Sequence, residues 1–507
     1  MILINMPMCR PCGYKTSRDW RGREAGKNGP ERNVFTGREV KPRKARVRRR
    51  ALPIRFYSYM VKMTTGNIPR HLVSYAVPLV LGNVFQLTYN AVDSIVLGRF
   101  AGTVPLAAVG VASPVMNIVI FVLVGLCMGA SILMSGFFGA EDYGTLKRQI
   151  STALFPGLAF TAVLSAVGIA FVRPLLQLIR TPPELLDTAA SYLRIVFGSL
   201  AFTFLYNLFA SALRSVGDSR TPIVCVVISA VLNGVLDFIF VARCGWGANG
   251  AAWATAGAQV VSAVLCVGYV YARQPLLRIL ARDVVVDAAL LKKTVQFSWV
   301  SAMQQTCLYV GKLFVQGAVN PLGVGTIAAY NAVTRVDDFA FSPQQSISHS
   351  LTTFLAQNRG AEKTERLRSG IRAGMLIETA YWVGIGTAVF FCAEPIMRLF
   401  VGAQAAVVLS GSSYLRAMAF FYLLPAWTNG LQGIFRGMGD VRVTLVSTLL
   451  QMGARVAFVY VLAPRFGIQG IAYACALGWV VMIAYEFPMY VKRIRGRLGR
   501  AGDFGKA

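Results

Sequence analysis

Charge is scarce in this 507-residue chain: only 14% of residues are Asp, Glu, Lys or Arg. A soluble globular protein carries about 25%. Acids are scarcest, 22 Asp and Glu against 51 Lys and Arg, and histidine occurs only at His71 and His349. Two histidines exclude a multi-His metal centre. No G-x-x-x-x-G-K-[S/T] is present, so the chain lacks a phosphate-binding loop for ATP hydrolysis. Neither H-E-x-x-H nor G-x-S-x-G occurs, so membrane proteases of those types are not supported and no enzyme is expected. Nine cysteines are too scattered for a disulfide framework. Cys127, Cys225, Cys266, Cys307, Cys392 and Cys475 fall in apolar stretches, where a thiol behaves as a small hydrophobe. The single C-x-x-C at Cys9 and Cys12 has no second pair to complete a zinc site.

What the chain has in abundance is apolar length. Hydrophobic residues make up 55%, and twelve runs are long enough to cross a bilayer as helices. They span about 72–98, 105–136, 150–172, 189–213, 221–242 and 250–272. The second six span about 293–317, 326–356, 370–392, 411–435, 443–463 and 468–491. The expectation is an all-α membrane protein.

The net charge of +29 could suggest nucleic acid, but its distribution argues otherwise. Residues 1–66 carry 17 Lys/Arg and 4 Asp/Glu, and this stretch is read as a disordered basic extension. Met60 and Met63 are alternative starts. Most other cations fall in alternate connections between segments, whereas the opposite set holds only Arg99, Arg173, Arg180, Arg243, Arg398 and Arg465. That asymmetry places the basic connections and both termini in the cytoplasm of a plasma (inner) membrane protein. No nucleic-acid partner is expected; lipid is.

The halves repeat. Gly139-Ala140-Glu141 matches Gly360-Ala361-Glu362 at an offset of 221. Leu213-Arg214-Ser215-Val216-Gly217-Asp218-Ser219-Arg220 matches Phe435-Arg436-Gly437-Met438-Gly439-Asp440-Val441-Arg442 at 222. Gly247-Ala248-Asn249-Gly250 matches Gly467-Ile468-Gln469-Gly470 at 220. Six spans per half make the repeats parallel, as in many secondary transporters. The domains expected are the extension 1–66, an N-terminal lobe 67–272, a connector 273–292, a C-terminal lobe 293–493 and a basic tail 494–507.

Ionisable groups inside membrane helices are costly and mark candidate functional sites. Asn83, Gln86, Asn90 and Asp93 recur at steps of three and four, along one face of segment 1. Asp237 in segment 5 follows Asn233 by four, and segment 6 adds Thr255 and Gln259. Two carboxylates with amide and hydroxyl oxygens could bind H⁺ or Na⁺; no other cofactor is expected. By the repeat, Asp93 corresponds to Lys312, Asn233 to Arg455, Asp237 to Val459 and Thr255 to Cys475. A cation site therefore belongs to the first half, with Lys312 and Arg455 paired to Asp337 or Asp338 in the second. Pro78 and Pro114 lack an N–H and can bend their helices. Gly125-x-x-x-Gly129 permits close helix contact.

From about 67 to 493 the chain resembles the multidrug and toxic compound extrusion (MATE) transporters. The resemblance rests on Ala76-Val77-Pro78-Leu79, Val92-Asp93-Ser94-Ile95-Val96-Leu97-Gly98, Leu232-Asn233-Gly234-Val235-Leu236-Asp237 and the two Arg-x-x-Gly-Asp blocks. It implies two pseudo-symmetric six-helix lobes in a V and cation-coupled antiport of small amphipathic or cationic compounds by alternating access. It also implies a cation site at Asp93, Asn233, Asp237 and Thr255, a substrate cavity at Gln86, Tyr89, Asn90 and Gln259, and bending at Pro78. A branch of the family uses acids of the second lobe, where this chain has Gln304 or Gln305 and Pro425. A monomer is expected. A lipid-linked precursor flippase of related architecture is the alternative.

Overall fold

The computed structural model describes residues 60–280, 283–402 and 404–499, within one unit running from Arg55 to Ala507. Residues 1–59 of the basic extension, with Cys9, Cys12 and the 41–50 run, lie outside the described residues, as do 500–507; its last residues, 60–66, are ordered rather than disordered, with Met63 buried against the second half.

Fourteen long helices account for nearly all of it. In the first half they are α1 (Ile68–Phe100), α2 (Thr103–Gly139), α3 (Tyr143–Leu178), α4 (Pro183–Gly198), α5 (Leu200–Ser215), α6 (Arg220–Asp237) and α7 (Gly247–Arg273). In the second they are α8 (Ala288–Val319), α9 (Val324–Gly360), α10 (Thr364–Val401), α11 (Ala405–Phe421), α12 (Leu423–Met438), α13 (Val441–Phe466) and α14 (Ile468–Met489). The pair α4/α5 bends by 45° and α11/α12 by 44°, so each pair makes one span. That gives six spans per half.

Among the described residues, seven helices are long and apolar enough to cross a membrane, and the bent pairs raise this to nine. The remaining three, α1, α8 and α9, are long but more polar. Their polarity has a use, because these helices face the junction between the halves. Asn83 of α1 donates to Ser346 Oγ of α9 (3.3 Å), and Tyr309 Oη of α8 accepts from Asn117 of α2 (3.4 Å).

The repeat is visible in the backbone. Positive φ recurs at Gly102 and Gly323, Glu141 and Glu362, Arg180 and Gly402, Gly217 and Gly439, and Gly247 and Gly467. Each pair ends or starts the same element in its half. At Gly217 the requirement is double: φ is +89°, and a Cβ would fall on the carbonyl oxygen of Val61. The adjacent Asp218 accepts from the N–H groups of Arg220 and Thr221 and so caps α6. Gly217→Ala should therefore lower the thermal midpoint in detergent by several degrees, a cost of about 2 kcal/mol or more. Gly453→Ala, in open space on α13, should leave it unchanged or raise it. Equal midpoints for the two variants would contradict this account of the turn.

Each half has its own apolar core. One gathers Leu123, Phe197, Phe204 and Phe209; the other gathers Val333, Met397, Tyr414 and Tyr422. A third cluster joins the halves at their basic end, where Met63, Leu72 and Tyr75 meet Leu351, Phe354 and Leu355. Hydrogen bonds gather there too. Gln357, fully buried, accepts from Met63 N–H (3.0 Å) and donates to Ser215 O (2.9 Å). Lys62 pairs with Glu141 at 2.8 Å, and this contact holds the exposed Glu141 carboxyl below its ordinary range. Along α2 and α8 the seam continues through Gly125 against Ala302 and Gly129 against Ser298, to Asn117 and Tyr309 (3.4 Å). The Gly125-x-x-x-Gly129 contact is thus an inter-lobe one. Toward the other end, the hydrogen bonds between the halves reach Asn83 on α1 and Asn117 on α2. The lobes diverge from there, closed at the basic end and open at the other, which makes the V.

Candidate functional site

Asp93 lies in the last third of α1 and Asp237 is the final residue of α6. The chain brings them together at the outer end of the N-terminal lobe. Leu97, Val241 and Ala251 form a small core beside them, and the Phe100 and Phe238 rings meet edge to face at 5.8 Å. A π-helical turn, Phe238–Arg243, follows Asp237 directly. Such widened turns are frequent at functional sites because they redirect side chains. The two carboxyls lie close enough to interact with each other.

Asp237 is fully buried, and neither of its carboxyl oxygens has a donor. One oxygen of Asp93 is likewise unpartnered, as are both amide atoms of buried Asn233. Buried polar groups are normally satisfied, so an unsatisfied cluster of this size marks a place for a ligand. Two neighbouring carboxylates require a cation or a proton between them. Tyr192 of α4, which the sequence did not single out, lies near both acids and donates to Met116 Sδ (3.7 Å).

A cavity of about 400 Å³ adjoins this cluster and runs toward the basic end. Asn233, Thr255, Gln86, Gln259 and Asn83 all line it. Thr255 makes no hydrogen bond to either acid among the described residues. Tyr89 and Asn90 have side chains outside the described set. Pro78 sits inside α1, which runs unbroken through it, as α2 does through Pro114. Residues the sequence did not assign to the cavity are Arg214, Tyr206 and His349, all at its basic end.

The second lobe is built differently at the equivalent positions. Lys312 pairs with Asp338 at 3.2 Å, both partly exposed in the open wedge. Asp337 is buried and accepts from Tyr422 Oη at 2.7 Å. Arg455 lies among Asp337, Tyr330, Tyr414 and Cys475, its Nε without an acceptor. Tyr414 occupies the repeat position of Tyr192. Exposed ion pairs contribute about 0–1 kcal/mol. Lys312→Met should therefore leave transport within about twofold of wild type; a larger loss would make the pair functional rather than a brace.

Two further acids of this lobe escaped the sequence reading. Glu378 of α10 is fully buried and both its oxygens are unpartnered. Glu486 of α14 accepts from Ser447 Oγ at 2.7 Å, beside a network of Gln304, Gln432, Thr444 and Thr448. Gln304 thus serves as a neutral member of a structural network.

Comparison with known proteins agrees with this architecture. The MatE family model matches residues 78–239 and 301–461, one stretch in each half. The chain is 26% identical over 442 residues to the probable multidrug resistance protein YoeA of Bacillus subtilis, covering 85% of this chain and 95% of that protein. It is 23% identical over 398 residues to an FAD transporter of Shewanella oneidensis, covering 77% of this chain and 88% of that protein. Among solved structures, the outward-facing conformation of a multidrug resistance MATE family transporter aligns with a TM-score of 0.80. That alignment covers 88% of this chain and 99% of that one, at 22% identity. With both halves matched, over most of its length, the chain belongs to the MatE family of multidrug efflux transporters.

Proposed function

We propose that the chain exports small amphipathic organic compounds by antiport against H⁺ or Na⁺, with Asp93 and Asp237 as the coupling pair. The observation that carries this reading is the fully buried Asp237, both of whose carboxyl oxygens lack donors, beside the partly buried Asp93, one of whose oxygens does. In the open-wedge state a cation entering from the outer side neutralises the pair. Asn233 and Thr255 supply further oxygens at the cavity wall, and Na⁺ takes oxygen ligands of this kind. Neutralisation relieves repulsion between α1 and α6 and draws them closer. Because α1 also lines the cavity through Asn83 and Gln86, that movement reshapes the space offered to substrate. Substrate leaves outward, the lobes rock, and the cation is released at the basic end.

The excess of Lys and Arg at the closed end supports placing that end, and both termini, in the cytoplasm of the inner membrane. On this reading the protein works as a monomer surrounded by lipid, without nucleic acid. The relatives named above include multidrug proteins and an FAD transporter, so membership of the family leaves the cargo open.

The test uses inside-out vesicles, with dye transport driven by an imposed H⁺ gradient or separately by an imposed Na⁺ gradient. One gradient should drive transport in wild type and fail in Asp237→Asn. Transport that ignores both gradients would overturn coupling, and gradient-driven transport unchanged in Asp237→Asn would overturn the site.

A further inference from the structure

We infer that the central cavity takes organic molecules carrying an anionic group, such as a carboxylate, sulfonate or phosphate, seated on Arg214. The inference deepens the export reading: it depends on that reading for the direction of transport but not for binding.

Among the described residues the lining of the cavity contains no Asp or Glu, and Arg214 is its one Lys or Arg. Asp93 and Asp237 do not belong to the wall. Arg220 opens α6 and Asp237 closes it, which separates the basic end from the acid pair by about 25 Å along the helix. A cavity built for organic cations would present carboxylates or stacked aromatic faces to its guest. This one presents neutral hydroxyls and amides, apolar wall from Ile120, Val124 and Ile223, the rings of Tyr75, Tyr206 and His349, a single guanidinium and, among the described residues, no carboxylate.

That guanidinium has no ion-pair partner among the described residues. It donates to Ser211 Oγ at 3.0 Å, which fixes its direction, and a guanidinium carries five N–H donors in all. The nearby Asp218 is committed to the N-terminus of α6, where it accepts from Arg220 N–H, Thr221 N–H and Thr221 Oγ1. The repeat offers a contrast. Arg436, the counterpart of Arg214, is buried, bonded to Ser348 Oγ (3.1 Å), and has Glu486 close enough to offset its charge. Arg214 makes no ion pair among the described residues, and the acid nearest to it in sequence, Asp218, spends its oxygens on the start of α6. His349, next to Ser348 on α9, faces the same end of the cavity from the opposite lobe. Arg214 lines the same cavity as His349, and Arg436 is bonded to Ser348 beside it, so the cavity floor carries positive charge from both lobes.

An uncompensated cation in a low-dielectric wall is costly, and an anionic guest offsets that cost. Arg is also suited to planar, bidentate recognition of carboxylate and phosphate groups. The volume of about 400 Å³ falls in the range of drug-sized pockets. The resulting guest is an amphipathic anion or a zwitterion. Its charged end sits at the closed, basic end of the transporter and its apolar body points toward the wedge. This adds an anionic group to the amphipathic or cationic cargo that the family resemblance implies.

The test is equilibrium binding of two xanthene dyes to the full chain in lipid nanodiscs, read by fluorescence polarisation. Carboxyfluorescein supplies the anion and rhodamine 6G the cation on the same ring system. Wild type should bind carboxyfluorescein more tightly. Arg214→Gln should weaken that binding by about tenfold or more and leave rhodamine 6G equal or tighter. Arg214→Lys should retain part of the anion preference. Gln345→Glu, which adds a carboxylate to the wall without touching Arg214, should weaken the anion and strengthen the cation, and it carries the test if Arg214→Gln fails to fold. Preference of wild type for rhodamine 6G, binding of neither dye, or equal responses of the two dyes to these substitutions overturns the inference. Binding needs no gradient. Failure of ion coupling in vesicles would thus leave this result standing, and failure here would leave the coupling pair standing.

Discussion

Asp93→Asn and Asp237→Asn should each reduce gradient-driven efflux by about 100-fold or more, and the double variant should be no worse than either single one. The size follows from what the amide removes. Asparagine is nearly isosteric with aspartate, so packing among Leu97, Val241 and Ala251 is kept. It cannot take up a proton, and it offers Na⁺ no counter-charge. A loss of 100-fold corresponds to about 2.7 kcal/mol, within reach of one buried charge interaction. The non-additivity follows from proximity. The two carboxyls hold one cation between them, so removing either disables the unit, and the second substitution has nothing left to remove. The measurement is the initial rate of dye efflux at matched expression, with Glu378→Gln as the competing arm. Glu378 is the other fully buried acid with two unpartnered oxygens. If Glu378→Gln abolishes efflux and Asp237→Asn does not, the coupling site belongs to the second lobe. Additive losses at Asp93 and Asp237 would mean two independent sites.

Much of this arrangement is legible in the sequence, and the reasons are specific. The offset of 220–222 between repeated blocks foretells two halves, and the backbone repeats it in the paired positive φ values. The polar stripe on segment 1 and the Asn233–Asp237 spacing foretell which faces turn inward, because a polar face has no stable place against lipid. The breaks at Ser199 and Tyr422 are another matter. They bend two spans by about 45°, yet Ser199 has no proline or glycine signature beyond the preceding Gly198. The prolines the sequence does advertise, Pro78 and Pro114, sit inside continuous helices. Glu378 and Glu486 escaped because each is isolated on its helix, with no polar neighbour at three or four residues to form a stripe pointing inward. Arg214 is readable as part of a repeated turn. Its role at the cavity floor is not, because only the packed structure shows that Arg214 lines the cavity without an ion-pair partner among the described residues.

Gly139→Leu and Gly360→Leu should each arrest the transporter with its basic end open and reduce efflux by about 100-fold or more. The Gly-Ala-Glu blocks of the two halves meet each other across the pseudo-symmetry axis. A Cβ at Gly139 would fall on the backbone of Gln357, and one at Gly360 on the backbone of Gly136. The ends of α2 and α9 therefore cross backbone to backbone, with no space for a side chain on either partner. Gln357 holds the crossing by bridging Met63 N–H and Ser215 O, so three segments of chain close over this point. In the open-wedge state this is where the basic end would be sealed. An isobutyl group there cannot be absorbed by a rotamer change, since what it meets is backbone. Each lobe keeps its own core, so the response is separation of the lobes rather than unfolding. Spin labels at Gly144→Cys and Glu365→Cys, with the exposed native Cys244 and Cys392 replaced, report the distance between the first turns of α3 and α10. In either leucine variant the distance distribution should shift to longer values, and an added Na⁺ or H⁺ gradient should fail to shorten it. A distribution unchanged from wild type, or efflux retained in both variants, would mean that the glycine crossing tolerates bulk and that closure is made elsewhere.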